Sequence, residues 1–363
     1  MSTHNTASQN RIFYLDMLRI LAILLVVFQH STLFFDFHQS NKIAISILIL
    51  LNSSATGLFF MISGALLLPL KSDAAHFLKR RVKVIVVPLL TWSVIYLINS
   101  YLHTGYVSPQ IIISSPFYPV EDFLWFPYAI LLIYLLMPII SVCLKASGKR
   151  MIQYYLALWG LSSIVTYQHG LLLGLEAPSN MFSPLYNNVG YVVLGYYLHH
   201  WPLRFSSQGK LATVISMGSL FIAAVFYFEE FLQPRWGVEA QTTYLAVNNE
   251  MSVNTMLLAI FYFSIFQHFF SKKEHIPHES RFLAAAVTTL SVCSYGIYFI
   301  HKLIGQNAGV PIVSELLPST SHWIQAVLWG GITFTLSFLI IFLLRFTPFS
   351  FMLTGRRRIH LNL

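Results

Sequence analysis

Ten predominantly apolar stretches follow one another along the chain, at about 14–35, 43–69, 83–102, 123–144, 151–168, 185–199, 211–228, 253–270, 282–304 and 322–344. Each is long enough, or nearly so, to cross a hydrocarbon core about 30 Å thick. In lipid every backbone N–H and C=O needs an internal partner, so the pattern predicts helices and an all-α polytopic membrane protein. The sixth stretch is the weakest, being short and carrying Asn187, Asn188, Gly190 and Gly195. The first is too long and too polar inside for a cleavable signal, since it holds Arg19 and His30. The longest loops, about 103–122 and 229–252, leave no room for an attached soluble domain.

Composition agrees with that pattern. Of 363 residues 56% are apolar and only 10% charged, with a mean hydropathy of +0.65. Those figures exclude a soluble globular enzyme, a disordered chain and a coiled coil. The two cysteines, Cys143 and Cys293, lie in apolar runs and make neither a disulfide framework nor a cysteine metal site. A net charge of +9 would suggest nucleic acid in a soluble chain. Here the loop distribution gives it a membrane meaning. With ten crossings, 18 of the 22 basic residues fall on the N-terminal side, including Lys71, Lys145, Arg204 and Arg356-Arg357-Arg358. Only Lys42, Arg235 and Lys302 fall opposite. The positive-inside rule then predicts both termini in the cytoplasm, with the C-terminal arginine triplet anchoring topology at anionic headgroups. Membrane lipid is therefore an expected partner and nucleic acid is not.

Ionisable residues inside such helices mark candidate sites. Arg19 and His30 are eleven residues apart, about 20° on a helical wheel and roughly 16 Å along the axis. Asp16 falls about 40° to the other side, so all three share one face. Arg19 suits either snorkelling to the cytoplasmic surface or a site, whereas His30 is deep in an apolar helix. A desolvated imidazole stays neutral and can take a proton from a hydroxyl. Asp16 is too far along the helix to bond His30 and is expected to pair with Arg19 or another cation.

Four further stretches carry polar chemistry. The run Lys79-Arg80-Arg81-Val82-Lys83 is either a positive-inside anchor or a phosphate site, since guanidinium pairs bidentately with phosphate, as a nucleotide-type cofactor such as coenzyme A would require. Ser63, in Phe59-Phe60-Met61-Ile62-Ser63-Gly64, belongs to a small-residue packing interface or to a substrate lining. Glu121, Asp122 and Trp125 suit an interfacial belt or a sugar-binding mouth. Tyr295 and His301, in Ser294-Tyr295-Gly296-Ile297-Tyr298-Phe299-Ile300-His301, are candidates to face that mouth. No HExxH, P-loop, Rossmann or GxSxG pattern occurs, so neither a metal nor a permanently bound cofactor is expected.

These five stretches, in this order, resemble the membrane acyltransferase-3 family of bacterial O-acyltransferases. Its first-helix pattern, Tyr-Leu-Asp-x-Leu-Arg, ten residues, then His, reads here as Tyr14-Leu15-Asp16-Met17-Leu18-Arg19 through His30. Phe77–Pro88, Phe123–Phe126 and Ser294–His301 are similar to its later blocks, and the likeness spans about 11–304. Ile20 departs from the glycine common after that arginine, and the chain looks like the single-domain members. The resemblance implies an O-acyltransferase of the bacterial cytoplasmic (inner) membrane. It would move an acyl group, usually acetyl, from cytoplasmic acyl-CoA to a hydroxyl of an envelope glycan or lipid-linked sugar. Arg19 and His30 match the family's essential arginine and histidine. The competing expectations are a proton-coupled transporter or glycan exporter using His30 and Asp16, and a non-catalytic partner in glycan export.

Overall fold

The computed structural model describes residues 11–31, 49–168, 188–203, 252–271 and 281–359, and these are helical throughout their ordered elements. The principal helices are α1 (Phe13–Ser31), α2 (Ala55–Leu67), α3 (Ala74–Thr104), α4 (Trp125–Ala146) and α5 (Lys149–Ser163). They continue with α6 (Val189–His200), α7 (Val253–Phe270), α8 (Arg281–Ile304), α9 (His322–Leu344) and the short α10 (Ser350–Thr354). Among the described residues, seven helical stretches are long and apolar enough to cross a membrane. The stretches expected as the fifth and sixth crossings form α5, prolonged by the π-turn Ile164–Gln168, and the twelve-residue α6. Neither is among the seven. The expected seventh crossing, at about 211–228, lies outside the described residues.

Helix α1 is the hub. Leu18, Ala22, Ile23 and Val27 are fully buried, and the helix packs on α2, α7, α8 and α9. Its Asp16–Arg19–His30 face therefore looks into the bundle. Helices α2 and α6 meet almost backbone to backbone. A Cβ on Gly64 would lie 1.9 Å from the Val192 carbonyl oxygen, and one on Gly195 would lie 2.0 Å from that of Met61. Small residues permit this approach, which in lipid substitutes for a hydrophobic driving force.

Two boundaries differ from the sequence expectation, and both matter for chemistry. Helix α3 starts at Ala74 instead of near 83, because the Asp73 carboxylate accepts from the amides of Ala75 and His76 and caps it. The run Lys79–Lys83 is thus part of a helix, where Lys79 and Lys83 are about 40° apart and Arg81 points the opposite way. Lys302, counted above as a loop cation, sits inside α8, which runs on through a π-turn to Leu316.

Candidate active site

At the Arg19 end of α1, one buried carboxylate organises the cations. Asp16, only 6% exposed, accepts from Arg11 twice (Nε to Oδ2, 2.9 Å; Nη2 to Oδ1, 3.0 Å) and from Arg19 Nη1 (3.3 Å). Ser291 on α8 donates to Asp16 Oδ1 at 2.6 Å and accepts from Arg19 Nη1 at 3.1 Å. A buried carboxylate is tolerable only when paired and hydrogen-bonded in this manner. The network fixes Arg19, whose remaining N–H groups have no partner among the described residues.

Two cavities open here. The larger, of about 1570 Å³, is lined by Arg11, Tyr14, Arg80, Arg81, His199 and Gln267 among others. The narrower, of about 150 Å³, is lined by Arg19, Arg81, Ser63, Tyr134, Tyr295 and Tyr298, and also by Arg356 from beyond α10. Arg81 borders both, its guanidinium stacked over Phe77 and Tyr134 at 5.8 and 5.9 Å. Although Arg356 reaches the surface, desolvation by the protein around it first, and then the neighbouring cations Arg19, Arg11, Arg81 and Arg345, push its guanidinium down to about 10, so it stays charged at neutral pH. Among the described residues no carboxylate lines either cavity. Cations thus dominate the charged lining of both cavities, and Arg81 is common to the two.

The slot ends on aromatic rings. Ser63 Oγ donates to the Phe59 carbonyl at 3.0 Å and lies 3.3 Å from the Tyr134 hydroxyl. The Tyr295 hydroxyl is buried without a hydrogen-bond partner among the described residues. Phe126 and Tyr298 stand at the inner end, 5.5 Å apart between ring centroids, and the Tyr298 hydroxyl donates to the Phe123 carbonyl.

Behind that aromatic partition lie two imidazoles. The rings of His30 and His301 are 4.9 Å apart, and each packs on Phe123. His30 Nδ1 is 2.8 Å from the Val26 carbonyl and His301 Nδ1 is 2.7 Å from that of Tyr298. A carbonyl only accepts, so both Nδ1 atoms carry a proton, and in the neutral imidazoles both Nε2 atoms hold a lone pair. His301 is 0% exposed and its Nε2 has no partner among the described residues. Alongside, Lys302 Nζ bonds Glu121 Oε2 at 2.8 Å and sits over the Phe123 ring at 5.3 Å.

The sequence candidates separate accordingly. Asp16, Arg19, Arg80 and Arg81 converge at one end, with Ser63 in the slot. His30 and His301 meet at the other, beside Glu121. Tyr295 lines the slot with Arg19, not a mouth beside Glu121. Lys79 and Lys83 are exposed and line neither cavity, and Lys83 sits over Phe351 at 5.5 Å. Asp122 is exposed, and Trp125 is half-buried against Phe126. Sequence reasoning missed Ser291, Tyr134, Lys302 and Arg356. The first three carry no signal without a packing partner, and Arg356 was absorbed into a terminal basic run. A family model of an acyltransferase domain, acyltransferase 3, matches residues 12–346. No curated protein and no solved structure matches the chain.

Proposed function

The chain belongs to the acyltransferase 3 family, and its acyltransferase domain makes it a transferase. From that premise we propose that it is an O-acetyltransferase of the bacterial inner membrane, with both termini cytoplasmic, using cytoplasmic acetyl-CoA to acetylate a hydroxyl of an envelope glycan. The resemblance to bacterial O-acyltransferases of this family, which usually move acetyl to envelope glycans, supports acetyl and a glycan. The observation that carries the donor half is the pair of cationic cavities that share Arg81: a wide one for the nucleotide, and a slot of about 150 Å³ whose Arg19 and Arg81 meet the diphosphate and whose aromatic end takes the pantetheine arm. Charge-assisted N–H to phosphate bonds hold the nucleotide end. Lys79 and Lys83, outside both cavities, serve in this reading as long-range attraction and topology charges.

The arm length fits the helix. From Arg19 to His30 the axial rise is roughly 16 Å, so a donor held at Arg19 presents its thioester near the imidazoles. Phe126 and Tyr298 stand between, and their parting is the conformational step that the reading requires. The acceptor enters from the Glu121–Lys302 side, with Asp122 and Trp125 near its mouth and His301 against the sugar.

A thioester is already activated, so orientation and a base suffice. His30 Nε2 takes the proton as the hydroxyl oxygen attacks the thioester carbonyl carbon. The tetrahedral intermediate collapses, the C–S bond breaks, and the proton on Nε2 returns to the departing thiolate. The products are the O-acetyl ester and free coenzyme A, with imidazole regenerated. Asp16 is saturated by Arg11, Arg19 and Ser291, which argues against its carrying protons in a transporter. Incubating purified protein with acetyl-labelled acetyl-CoA and an envelope glycan fraction tests the reading. Label recovered in an alkali-labile ester on the glycan is expected, and thioester that stays intact with every glycan fraction would sink it.

A further inference from the structure

The C-terminal arginine triplet looks uniform in sequence and is not uniform in structure. After α9 the chain turns and α10 lays a short hook on α3. The indole N–H of Trp92 on α3 donates to the Leu353 carbonyl at 2.9 Å. Gly355 has φ +65°, and a Cβ there would lie 2.7 Å from the Val84 carbonyl oxygen, so both its conformation and its closeness to α3 require glycine. Ser350 Oγ donates to the Arg356 carbonyl at 3.0 Å, and the Arg356 amide donates to Thr354 Oγ1 at 3.2 Å. The Ile359 amide returns to the Arg345 carbonyl at 2.9 Å. Gly355, just before Arg356, thereby abuts Val84, one helical turn along α3 from Arg81.

All three arginines reach the surface, but only Arg356 lines the narrow cavity, together with Arg19 and Arg81, while Arg357 and Arg358 line neither cavity. A topology anchor needs only charge near headgroups and makes no distinction among three neighbours. Three guanidiniums around one slot, with the Asp16 carboxylate already engaged, repel one another until an anion arrives. Each offers a planar fork that matches phosphate oxygens.

We propose that Arg356 is a phosphate-binding residue of the donor site, delivered by the hook to complete a three-arginine clamp with Arg19 and Arg81. The inference rests on the donor reading above and names its third ligand. The phosphate chemistry is shared by coenzyme A and by anionic lipid headgroups, and the clamp is assigned to coenzyme A because the slot is continuous with the catalytic partition.

The test uses full-length protein in nanodiscs of zwitterionic lipid, titrated calorimetrically with coenzyme A. Arg356→Gln should weaken binding at least about tenfold, the usual size of one lost charge-assisted contact. Arg356→Lys, which keeps the charge and the hook but loses the fork, should fall between. Arg357→Gln/Arg358→Gln should bind within about twofold of the unaltered protein, since one contact is the unit of change. Thermal melts of all variants establish that the hook is intact, and Arg356→Lys decides the matter if Arg356→Gln does not fold. Equal affinity for Arg356→Gln and the unaltered protein overturns the proposal. So does a variant that keeps its coenzyme A affinity but no longer gains stability when anionic lipid is added, which would assign Arg356 to a headgroup. If the unaltered protein itself binds no coenzyme A, the donor reading fails, whatever Arg356 does.

Discussion

Replacing Asp16 by asparagine separates two consequences that a merely structural carboxylate would not link. The carboxylate accepts four hydrogen bonds, from Arg11 twice, Arg19 and Ser291, at 2.6–3.3 Å. Asparagine keeps the shape and one acceptor but removes the only negative charge in that network. Breaking a buried pair from one side costs about 3–5 kcal/mol, and the surviving amide acceptor places this variant near the lower end. Against a total stability of roughly 5–15 kcal/mol that is a large loss, readable by unfolding in mixed micelles. The second consequence has the opposite sign. With its counter-charge gone, Arg19 offers a less neutralised guanidinium to the cavity, so coenzyme A should bind more tightly and stabilise the variant more than the unaltered protein. At a ligand concentration of 100 Kd, ligand stabilisation is about 2.7 kcal/mol, well within reach of the assay. An Asp16→Asn protein that unfolds within about 1 kcal/mol of the unaltered one would refute the pairing argument. A coenzyme A stabilisation no larger than in the unaltered protein would refute the link between Asp16 and the donor site.

Three other outcomes follow from the same geometry. Gly64→Val should destabilise by more than about 1–3 kcal/mol, the usual overpacking cost, because its Cβ meets backbone and not a movable side chain; a melt unchanged from the unaltered protein would contradict the α2–α6 contact. Arg81→Gln should lose coenzyme A affinity by about tenfold or more whereas Lys83→Gln should not, measured by calorimetry, since only Arg81 borders the cavities. His301→Gln should cut turnover about 10-fold or more while leaving coenzyme A affinity in place, because its ring, with an unpartnered Nε2 among the described residues, packs on His30, on the side the proposed function gives to the acceptor; steady-state kinetics showing full turnover would return His301 to a packing role.

Helical periodicity made the α1 face legible: a spacing of eleven residues puts Arg19 and His30 on one side of any helix, whatever surrounds it. The pairing of Asp16 with Arg19 followed from the same arithmetic, and the structure has it. Periodicity also says that Ser63 and Gly64 lie in a small-residue run, and the closeness of Gly64 to Val192 gives that run its packing role. What a single helix cannot reveal is its neighbour. His301 meets His30 only because α8 packs on α1, and Tyr295 joins Arg19 because the same packing turns it toward the slot. The basic run on α3 was read as one patch because its start was set too late. Once Asp73 caps the helix, one turn distributes those charges to different faces. Arg356 was least legible, because its position depends on a five-residue hook and on tertiary contacts to Trp92 and Val84.

The central claim is that His30 is the base, and single-turnover acetyl transfer by His30→Gln tests it most directly. Glutamine preserves size and hydrogen bonding but cannot take the hydroxyl proton. Protein preloaded with labelled acetyl-CoA is mixed with the acceptor glycan, and ester formation is followed alongside coenzyme A affinity. The account predicts a rate lower by roughly 10²–10⁴-fold with affinity nearly unchanged, because the imidazole contacts the acceptor and not the phosphates. A His30→Gln protein that transfers acetyl at close to the unaltered rate would contradict it.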